Sequence, residues 1–118
     1  QTGLATHLDI EGDGMPLPAD VQVQVLHVVQ EALSNVRKHA QARAVWVEVQ
    51  QTPQWRVEVR DDGCGFDPDG AGPDETHVGL RIMRERANNI GATVEVASVP
   101  GSGTCVVLKL PERLGLAA

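Results

Sequence analysis

Three polar residues on one stretch, Glu31, Asn35 and Lys38, stand at spacings i, i+4 and i+7. If the stretch is helical, about 100° per residue puts a carboxylate, an amide and an ammonium on one narrow stripe, away from most of the neighbouring valines. Asn35 can offer an amide oxygen to a divalent cation, Lys38 can meet a phosphate as a point charge, and Glu31 can orient water or complete a metal shell. Taken alone, the stripe reads first as a solvated face carrying an ordinary Glu/Lys ladder.

Asp61 closes a strand pattern in which Trp55, Val57 and Val59 share its side. A carboxylate on the core side needs a partner. Gly63 and Gly65 follow at once and permit a tight backbone and close ligand approach, so a purine amino group donating to Asp61 would satisfy it. An Asp-Asp-Gly turn in which Asp61 caps backbone amides would satisfy it too, and the residues leave both readings open. Further on, His77 and Gly79 precede a helical pattern whose first amides, around Leu80, could receive phosphate oxygens with help from the helix dipole. Of Arg81, Arg84 and Arg86, one near a phosphate is reasonable and the others fit surface charges. Gly101-Ser102-Gly103-Thr104 reads first as a hairpin turn. No GxxxxGK[ST] phosphate loop is present in the sequence.

Positioning these groups falls to elements the pattern predicts in order. A loose edge strand over 3–10 ends at a Gly/Asp turn, and a helix then opens with Pro18 at its first position and runs to about His39. Val21, Val25, Val28, Val29, Ala32, Leu33 and Val36 form its apolar face. Strict alternation predicts strands over 43–50 and 55–61 as a hairpin. Residues 62–76, rich in Gly, Pro and Asp, read as a long functional loop and a candidate lid. A second helix carries Leu80, Met83, Ala87 and Ile90 and stops at Gly91. Strands over 93–99 and 104–110 close the pattern. The resulting class is α+β, a two-layer sandwich of helices on a mixed, mostly antiparallel sheet.

Bulk properties narrow the function. The 118 residues, 42% of them hydrophobic, suit one domain with one core. A net charge of -6 argues against binding nucleic acid through a basic face, while a mononucleotide needs only local positive groups. Cys64 and Cys105 lack metal or disulfide-framework spacing, which suits a reducing cytoplasm. No apolar run approaches the roughly 18 residues of a membrane span.

The ordered segments Gln30-Glu31-Ala32-Leu33-Ser34-Asn35-Val36-Arg37-Lys38-His39-Ala40, Asp61-Asp62-Gly63-Cys64-Gly65-Phe66, His77-Val78-Gly79-Leu80-Arg81-Ile82-Met83-Arg84-Glu85-Arg86 and Gly101-Ser102-Gly103-Thr104 resemble the N, G1, G2 and terminal GT boxes of the gyrase, HSP90, histidine kinase and MutL superfamily. Within it, the chain is most similar to the catalytic domain of sensor histidine kinases of the nitrate/nitrite-sensor class. The resemblance implies the Bergerat ATP-binding fold, with ATP and Mg²⁺ as ligands. Asn35 would hold Mg²⁺ through ATP, Asp61 would take the adenine amino group, Gly63 and Gly65 would line the base pocket, and Thr104 would lie near it. Lys38 and His39 would face the phosphates, Glu31 would support the metal or a water, and Gly79 would begin the helix closing the phosphate end.

Two departures stand out: His77-x-Gly79 replaces the commoner Gly-x-Gly, and no phenylalanine-rich box is found. His27 is followed by Val28-Val29-Gln30-Glu31 instead of the His-Asp or His-Glu of a phosphoacceptor. The expectation is therefore a domain that binds ATP and passes its γ-phosphoryl group to a histidine on a separate dimerisation domain, for relay to a response regulator of the nitrate-response type. Its parent would be a homodimer anchored in the bacterial inner membrane, with this domain in the cytoplasm. A hydrolytic ATPase of the same superfamily, with Glu31 activating water, and a non-catalytic nucleotide-binding module are the competing expectations. Trp46, on the polar side of its strand, is either an interface residue or an isolated exposed aromatic.

Overall fold

A computed structural model describes residues 5–11, 17–51, 54–66 and 74–111. The chain runs β1 (Ala5–Glu11), α1 (Ala19–Asn35), a single π-helical turn (Val36–Ala40), β2 (Ala44–Gln50), β3 (Arg56–Asp61), α2 (Asp74–Asn88), β4 (Thr93–Ser98) and β5 (Thr104–Lys109). The five strands make one sheet in the order β1-β2-β3-β5-β4. β1 and β2 pair in parallel, as a crossover through α1 allows, and the other three pairs are antiparallel. The expected two-layer sandwich with a mostly antiparallel mixed sheet is the observed one.

Alternation decides which face of the sheet is covered. Val45, Val47, Val57, Val59, Val106 and Leu108 all point to the helices and are buried. Val21, Val28, Ala32 and Val36 of α1 and its following turn meet them from above, with Leu80, Met83 and Ala87 of α2. Val25, Val29 and Leu33 flank this stripe half-buried, so the helical periodicity identified the buried face. The β-branched residues of α1 lower its intrinsic propensity, and burial of that stripe compensates. At the edge, β1 keeps Leu8 66% and Ile10 57% exposed, because neither helix reaches over it.

Three boundaries differ from expectation. Pro18 sits just before α1, at the capping position, with ψ 149° that is not yet helical. α1 gives way after Asn35 to the π turn, and Gln41 follows in the left-handed region at φ 54°. Such one-residue expansions rotate every following side chain around the axis, so Lys38 no longer continues the stripe of Glu31 and Asn35 at strict α-helical spacing. α2 starts at Asp74, well before Leu80, so 74–76 belong to a helix and not to the loop. Asp74 and Glu75 are residue types that suit the positive end of a helix, and Gly79 is tolerated inside it. The rest of the candidate lid, 67–73, lies outside the described residues, as do the turn at 12–16, 52–53 and the tail beyond 111.

On the opposite face, Trp46 is neither isolated nor bare. The His7 ring stacks on it at 5.5 Å with 12° between the planes, and the Arg60 guanidinium lies 4.8 Å from its centroid. Register sets this trio side by side on β1, β2 and β3.

Candidate nucleotide site

At one end of the sheet, register aligns Val45, Asp61, Thr104 and Ser98 across β2, β3, β5 and β4, all on the helix-facing side. Asp61, 6% exposed, is the one buried charged side chain among the described residues. Its Oδ1 accepts the Gly63 backbone N–H at 2.8 Å, so the amide-capping reading of the Asp-Asp-Gly segment is realised. Burial pushes the carboxyl up from its ordinary value, more strongly than the Gly63 and Thr104 amides pull it down; the neighbouring Asp62 charge adds to the rise. Asp62 points the other way. Its Oδ1 accepts the Ala44 and Arg43 amides at 3.0 and 2.9 Å, and those bonds, Ala44's first, lower its pKa. One carboxylate thus ties down the start of β2, and its neighbour is held in the core face.

Backbone packs on backbone at this end, at two positions only glycine can fill. Gly65 has φ 65°, and a Cβ there would run into the Val99 carbonyl; Gly103 has φ 84°, and a Cβ there would strike the Asp61 carbonyl. The Gly101 N–H donates to the Cys64 carbonyl at 2.5 Å, joining the glycine segment to the β4–β5 turn. Thr104 Oγ1 lies 2.7 Å from Ser98 Oγ, which also accepts the Phe66 N–H at 2.9 Å and lies 3.1 Å from the Gly103 carbonyl oxygen. Sequence reasoning passed over Ser98. Its signal was available: strand alternation puts this hydroxyl on the side of Val94 and Val96, where a polar group needs partners.

A second group gathers between the helices. Glu31 and Asn35, both half-buried, face Gly79 of α2: a Cβ on Gly79 would come within 2.5 Å of Glu31 Oε2 and 3.3 Å of Asn35 Nδ2. The polar stripe is therefore turned toward α2, and the solvated-ladder reading does not hold for these two. Lys38 is exposed on the π turn, and the His39 side chain lies outside the described residues. The groups are linked, since the His77 ring meets the Phe66 ring edge-on at 5.9 Å. His77, itself on α2, thus joins that helix to the end of the glycine segment. His27 is exposed on α1.

Leu80 and Gly79 are placed differently from expectation. With α2 beginning at Asp74, their amides lie inside an α-helical ladder, and the Leu80 side chain is 3% exposed in the core. The helix N-terminus that was expected beside Leu80 is displaced to Asp74.

Chemically, the arrangement offers a buried acceptor row, Asp61 with Thr104, for a donor-bearing flat ring, and two oxygen-bearing side chains, Glu31 and Asn35, a helix turn apart. Oxygen donors in that small number fit Mg²⁺ whose remaining positions are filled by phosphates and water. A separate cavity of about 110 Å³, lined by Asp9, Glu11, Glu48, Val49, Gln50 and Arg56, opens at the other end of the strands. Three carboxylates there would repel a phosphate, so it is not a competing nucleotide site.

Known proteins resemble this chain in sequence and in fold. The family described as histidine kinase-, DNA gyrase B- and HSP90-like ATPase matches residues 20–114. The nitrate/nitrite sensor protein NarQ of Escherichia coli (strain K12) is 36% identical over 121 aligned positions, covering 98% of this chain and 20% of that protein. The signal transduction histidine-protein kinase/phosphatase DegS of Brevibacillus brevis is 33% identical over 111 positions, 93% of this chain and 28% of that one. Among solved structures, the blue-light activated histidine kinase EL346 of Erythrobacter litoralis superposes with a TM-score of 0.76 at 26% identity, over the whole of this chain and 38% of that one. The chain thus spans less than a third of the length of these two sensor proteins.

Proposed function

The chain belongs to the histidine kinase-, DNA gyrase B- and HSP90-like ATPase family, and on that premise we propose that it is the ATP-holding catalytic domain of a sensor histidine kinase. The observation that carries the reading is the buried Asp61 in register with Thr104, beside a glycine segment packed backbone to backbone on the β4–β5 turn. An adenine amino group is a donor that this acceptor row would satisfy. Gly63 would line the base pocket, and its amide holds the carboxylate in place.

Asn35 would hold Mg²⁺ through the nucleotide, with Glu31 supporting its water shell; the ion would neutralise charge on the transferring phosphoryl group. Lys38 and His39 would meet the phosphates. His77 would flank the lid side of the base. For Gly79 and Leu80 to offer amides to phosphate oxygens, the first turns of α2 must unwind, and the glycine at 79 makes that segment the weaker part of the helix.

Catalysis in this reading is positioning and electrostatics. The domain presents the γ-phosphoryl group to a histidine on a dimerisation domain elsewhere in the parent, which passes it to a response regulator. Likeness to a nitrate/nitrite sensor protein favours a regulator of the nitrate-response type; in this reading the parent is a homodimer anchored in the bacterial inner membrane, with this domain in the cytoplasm. None of the helices among the described residues is long and apolar enough to cross a membrane. The test is to mix this chain with a dimerisation domain of a related kinase and γ-labelled ATP: label on the acceptor histidine supports the reading, and a competent acceptor that stays unlabelled contradicts it.

A further inference from the structure

Ser98 makes three short polar contacts, and their protons can be assigned. The Phe66 N–H donates to Ser98 Oγ at 2.9 Å. The Gly103 carbonyl oxygen, 3.1 Å away, can only accept, and Gly103 is buried with no other backbone N–H among the described residues donating to that oxygen. Ser98 has one proton to give. With that proton on the Gly103 carbonyl, the 2.7 Å contact between Ser98 Oγ and Thr104 Oγ1 requires Thr104 as the donor. Ser98 then accepts twice and donates once, which fills a hydroxyl's capacity.

The consequence falls on Thr104. Its proton is committed to Ser98, so it shows only lone pairs to the space beside Asp61, its cross-strand neighbour. We propose that Ser98 is a positioning residue for base selectivity: by fixing the Thr104 hydroxyl as an acceptor, it makes the Asp61–Thr104 row favour a purine with a 6-amino donor over one with a 6-oxo acceptor. This rests on the ATP reading of the site and adds to it a residue that touches no ligand.

The same three bonds give Ser98 a mechanical role, since they tie the glycine segment, the β4–β5 turn and β5 together at one atom. A purely mechanical role and the proton-fixing role differ in what they do to selectivity. Loosening the loop weakens every nucleotide alike. Freeing the Thr104 proton lets it turn outward and donate to a 6-oxo group, which changes the ratio.

The experiment is calorimetric titration of the 118-residue chain with non-hydrolysable triphosphates of adenosine and of inosine. The unaltered chain is expected to prefer the adenosine form. Ser98→Ala should reduce that preference by roughly tenfold, the size of one hydrogen bond exchanged for a repulsion, and Ser98→Thr, which keeps the hydroxyl, should restore it. In a Thr104→Val background, Ser98→Ala should leave the ratio unchanged. Equal weakening of both ligands by Ser98→Ala overturns the proposal. Should Ser98→Ala fail to fold, as circular dichroism would show, Thr104→Val alone decides: an unaltered ratio there means Thr104 does not face the 6-position. Binding of neither nucleotide by the unaltered chain removes the ATP reading itself and this proposal with it.

Discussion

A buried carboxylate has opposite effects on folding and on binding, and in the proposed reading Asp61 has both. Its pKa is raised in the folded chain from the ordinary 3.8, mainly by desolvation. The folded state therefore binds this proton more tightly than the unfolded one, and stability declines as pH climbs from the ordinary carboxylate range through the raised value. Asp62 has the opposite sign, its lowered pKa giving stability that is lost in acid. Asp61→Asn keeps an acceptor for the Gly63 amide and removes the buried charge. It should raise the melting temperature at neutral pH, flatten the decline with pH, and weaken ATP binding by roughly 10- to 100-fold, because a charged acceptor contributes about 1.5–3 kcal/mol. Scanning calorimetry from pH 4 to 8, paired with titration, reads both; a variant of unchanged melting temperature and unchanged affinity would contradict the account.

At the scale of elements, α2 and the π turn are where function and sequence pattern part company. The strands were legible because alternation of valines with charged residues over 43–50 and 55–61 admits one buried face. The start of α2 was not, since Gly79 and the preceding loop composition resemble a helix boundary, while the actual boundary at Asp74 follows a stretch without periodicity. The π turn leaves no sequence mark at all, as its backbone expands without any change of residue type. Glu31 and Asn35 were found from spacing, but their burial against Gly79 depends on how two helices pack, which spacing does not contain. Gly79→Ala tests that packing. Alanine favours the helix by about 1 kcal/mol, and its Cβ would press on the movable end of Glu31. The start of α2 should exchange amide hydrogens more slowly, and ATP affinity should fall about fivefold if unwinding there is needed for phosphate contact. Slower exchange with affinity unimpaired would show that α2 need not open. Met83, with 0% exposure, packs the same helix on the sheet; Met83→Ala should cost about 2–5 kcal/mol in denaturant unfolding.

For the whole molecule, the fold separates two jobs by position. The sheet end holding Asp61, Thr104 and Ser98 is built on register across three strands, with Ser98 and Thr104 joined by their hydroxyls. In the proposed reading the phosphates meet the helices, and α2 opens at its start to engage them. That division suits a domain that keeps its nucleotide while its catalytic end is presented to a separate acceptor. The family assignment, too, was legible in the order of four short boxes, each weak by itself, whereas the Ser98 network depends on register that no motif records. The most direct test of the central claim is calorimetric titration of the chain with a non-hydrolysable ATP analogue and Mg²⁺, repeated for Asp61→Ala and Asn35→Ala. The account predicts saturable binding by the unaltered chain, loss of binding in Asp61→Ala with or without the ion, and loss of the Mg²⁺-dependent part alone in Asn35→Ala. Undiminished binding in Asp61→Ala would contradict it.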